Sequence, residues 1–293
     1  MEETVKVTAT YGKYTEKDLM EMDPVALGAL LRERTHHMIE VPLYPSLLKE
    51  SGKTKSNFGI QAQNVFDIWR KRGFAENTPD IKWVKKYLSI AEKMRSGEKV
   101  ELNRPLPEPF TEEEMRVVHK LIYDRCSIRD WIDKEVPDEM LYKIMDAGRM
   151  APIGCNLDEI RFIVLKPPEE TKMIWSDIST KNAVIIVLCH DKRGIQVVGQ
   201  DQSVPHNAGF DASAAADHML LMAHALGLGG VWLTEIKKTD GTRNTAEEFK
   251  KRYGLPDYIE VHLHIAVGWT AMGTIKSARI PLEDMIISRD DFE

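Results

Sequence analysis

Two hydrophobic periods alternate along this 293-residue chain. Val84, Tyr87, Leu88 and Ala91 recur at i, i+3, i+4 and i+7, the stripe of an amphipathic helix. TEKDLMEMDPVALGALLRER, residues 15–34, offers Thr15 as an N-cap and Pro24 for a first helical turn, so it too predicts helix. Thr111 followed by Glu114 is a capping box that opens a helix running towards Tyr123. Another helix is predicted over 138–150. The period then falls to two in IEVHLHIAVG, residues 259–268, where Ile259, Val261, Leu263, Ile265 and Val267 alternate with polar or small neighbours, the pattern of a strand. RFIVL (161–165) predicts a second strand. AVIIVLC (183–189) is a short unbroken apolar run that suits a strand buried on both faces. FDASAAADHMLLMAHALGLG (210–229), rich in Ala, Met and Leu and closing on Gly227, is apolar almost all round, so it belongs in a core or a subunit interface.

This pattern divides the chain. Residues 1–110 predict a helical N-terminal extension, closed by Pro105, Pro107 and Pro109 in a stiff linker. Residues 111–293 intermix strands and helices, which predicts an α+β or three-layer domain without internal repeats. At 43% hydrophobic the chain can bury a large core. Its net charge of -6 and pI near 5.9 argue against broad binding to nucleic acid or anionic membrane, so any anion site must be local. MEETVKVTATYGKYTEKD lacks the basic start and apolar middle of a secretory signal. The apolar runs fall short of the roughly 20 residues that cross a bilayer. Cys126, Cys155 and Cys189 are odd in number and scattered, which predicts free thiols, a reducing cytoplasm and no metal-ligand spacing.

RCSIRDW puts Arg125, Ser127 and Arg129 on alternate positions. Guanidinium groups grip phosphate in bidentate fashion and a hydroxyl adds a donor, so the strip is either an anion cradle or a solvated turn. APIGCN (151–156) is either a helix terminator or a loop that offers backbone N–H groups to a heterocycle. SARIP brings Arg279 near Lys276 and reads as a phosphate partner or a surface turn. ALGLGGVW follows a helix and precedes a strand, the reverse of a dinucleotide fingerprint, so that reading is rejected. His262 and His264, or His36 and His37, have no third ligand at metal spacing. Hydrolase and NTPase motifs are missing.

In this order, RCSIRDW, APIGCN before RFIVL, the long Ala-Met-Leu helix with GGVWL, and RIPLED together resemble the FMN-dependent nitroreductase superfamily, over about residues 115–293. The resemblance implies a three-layer α/β/α sandwich in a domain-interlocked homodimer, with FMN at the interface. It implies that Arg125, Cys126, Ser127 and Arg129 form the first strip against the flavin's phosphate and ribityl chain, with Lys276 and Arg279 as the C-terminal phosphate partners. Pro152, Ile153, Gly154 and Asn156 would reach the ring from the partner subunit, and Trp232, Leu233, Thr234 and Glu235 would pass its N5 side. NAD(P)H and a small electron-poor aromatic, a nitroaromatic or quinone, would react in turn by ping-pong kinetics.

The chain departs from the family's commoner pattern in several places. Ile153 replaces a frequent Ser, and Leu157, Asp158 and Glu159 replace a Gln-Pro-Trp type of sequence. Thr234 resembles the hydroxyl donor of the deiodinase branch, which favours one-electron steps and makes it the candidate tuning residue. These departures keep two alternatives open: a reductive dehalogenase-like or flavin-modifying enzyme, and a non-catalytic FMN-binding or sensing protein. The stretch His190 to Phe210 is short for a lid over the flavin, so the N-terminal extension is expected to cover the substrate pocket or strengthen the dimer.

Overall fold

The computed structural model describes residues 12–48, 56–102, 106–168, 170–171, 182–233, 236–237, 243–244, 246–273 and 276–287. Helix α1 (Glu16–Glu21) starts at Thr15, whose hydroxyl accepts from the Asp18 N–H at 3.1 Å while the Asp18 carboxylate accepts from the Thr15 N–H at 2.7 Å. Helix α2 (Pro24–Thr35) is capped afresh by the Asp23 carboxylate. The 15–34 stretch therefore splits at Met22, because Asp23 supplies an N-cap and Pro24, lacking an N–H, fits the first helical position. A π-helical turn over His36–Glu40 leads into α3 (Val41–Leu48), followed by α4 (Ile60–Lys71) and α5 (Pro79–Ser96). Val84, Tyr87, Leu88 and Ala91 are all buried in α5, as their spacing predicts.

The core of these helices, built on residues such as Leu27, Leu30, Ile39, Val65 and Ile81, also takes in Leu157, Ile195 and Val197 from the second half of the chain. Arg32 spans the junction. Its guanidinium donates to the Leu157 carbonyl at 2.6 Å and pairs with Asp80 at 3.2 Å. The Asp23 carboxylate meets Arg193 at 3.0 Å.

Helix α6 (Glu112–Tyr123) opens with the predicted Thr111–Glu114 capping box. It is followed by α7 (Asp138–Arg149), β1 (Ile160–Leu165), β2 (Val184–Asp191), α8 (Lys192–Val198), α9 (Gln200–Ser203), α10 (Asn207–Ala225), β3 (Gly229–Leu233), the short strands β4 (Ile236–Lys237) and β5 (Arg243–Asn244), α11 (Ala246–Tyr253) and β6 (Ile259–Gly268). The main sheet has the order β1-β2-β6-β3 and is antiparallel at every pairing. Strand β2 is buried at every position, because it is an inner strand covered on both faces. One face packs Ile186, Leu188, Leu263 and Ile265 under α7 and α10. The other packs Ile185, Val187, Val231 and Ala266 under Ile128, Trp131 and Phe249 of α11. Helix, sheet and helix make the three layers.

Helix α10 meets the sheet with Ala212, Ala215, Ala216 and Met219, while Phe210 and Asp217 face outward. Its small residues allow close approach to α7, where a Cβ on Gly148 would lie 2.7 Å from Met219 Cγ. The helix ends in a Schellman motif: Leu228 N–H donates to Ala223 O at 2.9 Å, Gly227 N–H donates to His224 O at 3.0 Å, and Gly227 takes φ +80°. Among the described residues, exposed apolar side chains gather along α6 and along residues 280–287. Met115, Ile122 and Tyr123 of α6 are more than half exposed, and so are Leu282, Met285 and Ile287.

Candidate active site

Glycine placement decides where the arginine strip lies. Gly229 and Gly268 stand opposite each other on β3 and β6. A Cβ on Gly229 would sit 2.7 Å from Ile128 Cγ2, and one on Gly268 would sit 2.7 Å from Trp131 Cδ1. The paired glycines thus form a trough that seats residues 128–131 against the sheet. Ser127 bridges Gly230 in parallel sense, Ile128 N–H donates to Gly230 O at 3.0 Å, and Trp131 Nε1 donates to Gly229 O at 3.4 Å. Residues 126 and 128 turn into the core, so in an extended strip Arg125, Ser127 and Arg129 turn the other way.

Beside this strip lies a cavity of about 340 Å³ between Arg125 and Cys126, the end of α10 at Leu220 and His224, the Gly227–Gly230 turn, and Thr270, Gly273 and Lys276. Lys276 Nζ contacts the Asp124 carboxylate at 2.7 Å, and that ammonium holds the Asp124 carboxyl below its ordinary value. Arg125, Cys126 and Lys276 are therefore brought together across more than 150 residues of sequence. Ser127 stands next to the cavity without lining it, and Arg129 is exposed beyond it. Arg279 is exposed too, its guanidinium reaching the Ala278 carbonyl at 3.5 Å. Trp232 is 37% exposed at the end of β3, Leu233 is half-buried, and Thr234 and Glu235 lie outside the described residues.

The 152–158 loop lies at the opposite end of α10. Cys155, Asn156 and Asp158 take φ of 53°, 57° and 53°, left-handed conformations that non-glycine residues hold only when their surroundings enforce them. The buried Asp211 carboxylate accepts the Gly154 N–H at 3.0 and 3.1 Å and so ties the start of this turn to α10. Glu159, 1% exposed, lies against Asp211, and burial followed by that neighbour pushes its carboxyl up to about 8. Pro152 is exposed and Ile153 half-buried. Sequence reasoning passed over Asp211, though an acid inside an Ala-rich run was a signal for it. It also passed over His224 and Thr270, for which spacing gives no signal.

The histidines form no metal cluster: among the described residues no three His, Cys, Asp or Glu side chains are placed to hold an ion. The β2–β6 ladder slips between Leu188 and Cys189, and the His262 ring stacks on His190 and hydrogen-bonds to it. Burial, and next the neighbouring His262, brings His190 down to about 4. Among the described residues no helix is long and apolar enough to cross a membrane.

The nitroreductase family model matches residues 122–189 and 172–269, which spans the arginine strip, the loop and all four strands of the main sheet. The chain belongs to the nitroreductase family. Among its relatives, a candidate NADH dehydrogenase/NAD(P)H nitroreductase of Methanothermobacter thermautotrophicus is 30% identical over 163 residues, 53% of this chain and 78% of that protein. The FMN reductase (NAD(P)H) of Bacillus subtilis is 26% identical over 58% of this chain and 72% of that protein. The solved structure of Bacillus megaterium NfrA1 superposes with a TM-score of 0.51 at 22% identity, over 59% of this chain and 74% of that one, a likeness of fold.

The residues of this cavity fit an FMN tail. Arg125 and Lys276 supply two cations for a phosphate. Gly227 and Gly273 line the cavity where a Cβ would meet nothing within 4 Å, so backbone and ligand can approach there.

Proposed function

We propose that this chain works as a homodimer that uses FMN and NAD(P)H to reduce a small electron-poor aromatic, a nitroaromatic or a quinone. FMN-dependent oxidation of NAD(P)H is the activity its family membership supplies. Bound FMN provides the two-electron redox chemistry. Arg125 and Lys276 hold the phosphate, with Ser127, Arg129 and Arg279 as outer partners. Ile128 and Leu220 keep water from the cavity's inner wall. NAD(P)H and the aromatic acceptor would react with the bound group in turn, the ping-pong order of the proposal.

One observation carries the dimeric reading. The cationic cavity meets α10 at Leu220 and His224, whereas the 152–156 loop is tied to Asp211 towards the other end of the helix, about 14–20 Å away along its axis. This separation supports a shared flavin, its phosphate in the cavity of one chain and its ring beneath the loop of a second copy. The exposed apolar strips of α6 and of residues 280–287 support this, since an apolar surface of that kind marks an interface. The helical extension of residues 1–110 then steadies that loop from behind, through Arg32 on the Leu157 carbonyl and the shared core. Deleting residues 1–105 should lower FMN retention and dimer content together; unchanged values would refute that role.

The purified protein should release FMN on denaturation and oxidise NAD(P)H in the presence of a nitroaromatic or quinone. Initial rates should give parallel double-reciprocal lines. A colourless protein that takes up no FMN, or intersecting lines, would overturn the proposal. Faster turnover of a halophenol than of any nitroaromatic would favour the dehalogenase-like alternative, and bound FMN without NAD(P)H oxidation the binding-only one.

A further inference from the structure

Away from the cavity, Cys155 faces a second constellation that the flavin reading leaves unused. Its Sγ lies 3.7 Å from His37 Nε2, within hydrogen-bond range for sulfur. His37 Nδ1 lies 2.9 Å from Glu33 Oε1. The Glu33 carboxylate also accepts from the Arg34 guanidinium at 2.6 Å, so it is held from two sides. A carboxylate only accepts, so Glu33 fixes the proton on Nδ1 and leaves Nε2 free to take one from the thiol. A fourth group points at the same sulfur: the Gln200 amide, itself only 7% exposed, donates to Sγ at 2.6 Å. Cys155 is half-buried and the His37 side chain is 38% exposed, so a small molecule can reach both.

We infer that Cys155, His37 and Glu33 form a nucleophile, base and orienting acid, and that Cys155 is a covalent site for an α,β-unsaturated carbonyl compound. The arrangement has the order of parts that activates a nucleophile, with a base in reach of it and a third group orienting the base. Burial, and next the charge of Glu33, push the thiol up, so its resting form is S–H and the base is needed. The Gln200 N–H then supports the sulfur as negative charge develops on it. The electrophile's class follows from what the site lacks. The Gly154 N–H is committed to Asp211 and cannot cradle an acyl oxyanion. An electrophile that carries its own electron sink needs no such cradle.

In the proposed step the Cys155 S–H bond breaks and its proton passes to His37 Nε2. The sulfur lone pair forms a C–S bond at the β-carbon, and the C=C π pair moves towards the carbonyl as an enolate. The imidazolium returns the proton to the α-carbon. Nothing is oxidised or reduced. Cys155 belongs to the 152–156 loop that the flavin reading also uses, but its partners His37, Glu33 and Gln200 are outside that reading, and neither the Arg125 cavity nor a second copy of the chain takes part in the step.

The test uses the full-length protein with N-ethylmaleimide as probe and peptide mapping to read each cysteine separately. Cys155 should be labelled faster than Cys126, the other half-buried thiol. His37→Gln should slow Cys155 by about 100-fold, at the low end of what a positioned general base contributes, and leave Cys126 unchanged. In the native protein the Cys155 rate should be nearly flat from about pH 7 to 9, whereas in His37→Gln it should climb about tenfold per pH unit as free thiolate builds up. Glu33→Gln, which acts through His37, should slow labelling less and shift the start of the plateau to lower pH. Cys155 reacting no faster than Cys126 would overturn the inference. So would a native rate that climbs tenfold per unit over the same range, an outcome that needs no variant to fold.

Discussion

Alanine at Gly268 would bring a methyl group to 2.7 Å from Trp131 Cδ1 and 3.0 Å from Cγ. Ordinary carbon contact begins near 3.4 Å, so the indole must withdraw by about 0.7 Å. It has little freedom to do so, because Trp131 is 7% exposed and its Nε1 is tied to the Gly229 carbonyl. Overpacking of this kind costs about 1–3 kcal/mol. Alanine at Gly229 meets Ile128 at Cγ2 (2.7 Å) and at Cβ (2.9 Å), and the Cβ moves only with the backbone. Ile128 is three residues from Arg125, so the Gly229 variant should displace the cavity wall more. Urea unfolding should show a comparable loss of stability in both variants. FMN titration by fluorescence should show affinity falling about tenfold in Gly229→Ala, equivalent to about 1.4 kcal/mol, and less in Gly268→Ala. The double variant should lose less than the sum, since the strip needs lifting only once. Wild-type stability and FMN affinity in both single variants would refute the trough as the device that seats the arginine strip.

Gly209→Ala in α10, where an added Cβ meets nothing within 4 Å, should stabilise the protein by about 0.5–1 kcal/mol in the same unfolding assay. Arg125→Gln should raise the FMN Kd by at least about tenfold, the loss of one charge-assisted phosphate contact, and a change under twofold would remove Arg125 from the site. Glu159 has a folded-state pKa of about 8, above its ordinary 4.5, so the native state binds the extra proton between those values and stability falls as pH rises through that window. Glu159→Gln should flatten this fall, which is on the order of a few kcal/mol; identical pH profiles for the two proteins would show that Glu159 is not protonated in the fold.

Much of the architecture was legible in local signals. The N-cap at Thr15, the capping box at Thr111, the stripe from Val84 to Ala91 and the alternation along 259–268 each depend on neighbours in sequence, so they survived folding unchanged. The break between α1 and α2 was read only as far as Pro24 at a first helical turn; the Asp23 cap that completes it was passed over. What could not be read depends on distant partners. The double glycine at 229–230 was correctly refused as a dinucleotide fingerprint, but its positive role needs Gly268 across the ladder and the bulk of Ile128 and Trp131. The tie from Asp211 to Gly154 crosses 57 residues, and the Cys155–His37 contact crosses 118. Long-range polar pairs leave no periodicity. The placement of the arginine strip and the APIGCN loop towards different ends of α10 was likewise invisible before the helix was placed.

Whether one flavin is shared between two chains is decided by a crystal structure of the FMN-loaded protein. The phosphate should lie against Arg125 and Lys276 of one protomer and the flavin ring under residues 152–156 of its partner. A flavin held by a single chain, or a cavity at Arg125 filled only by solvent in the loaded protein, would contradict it.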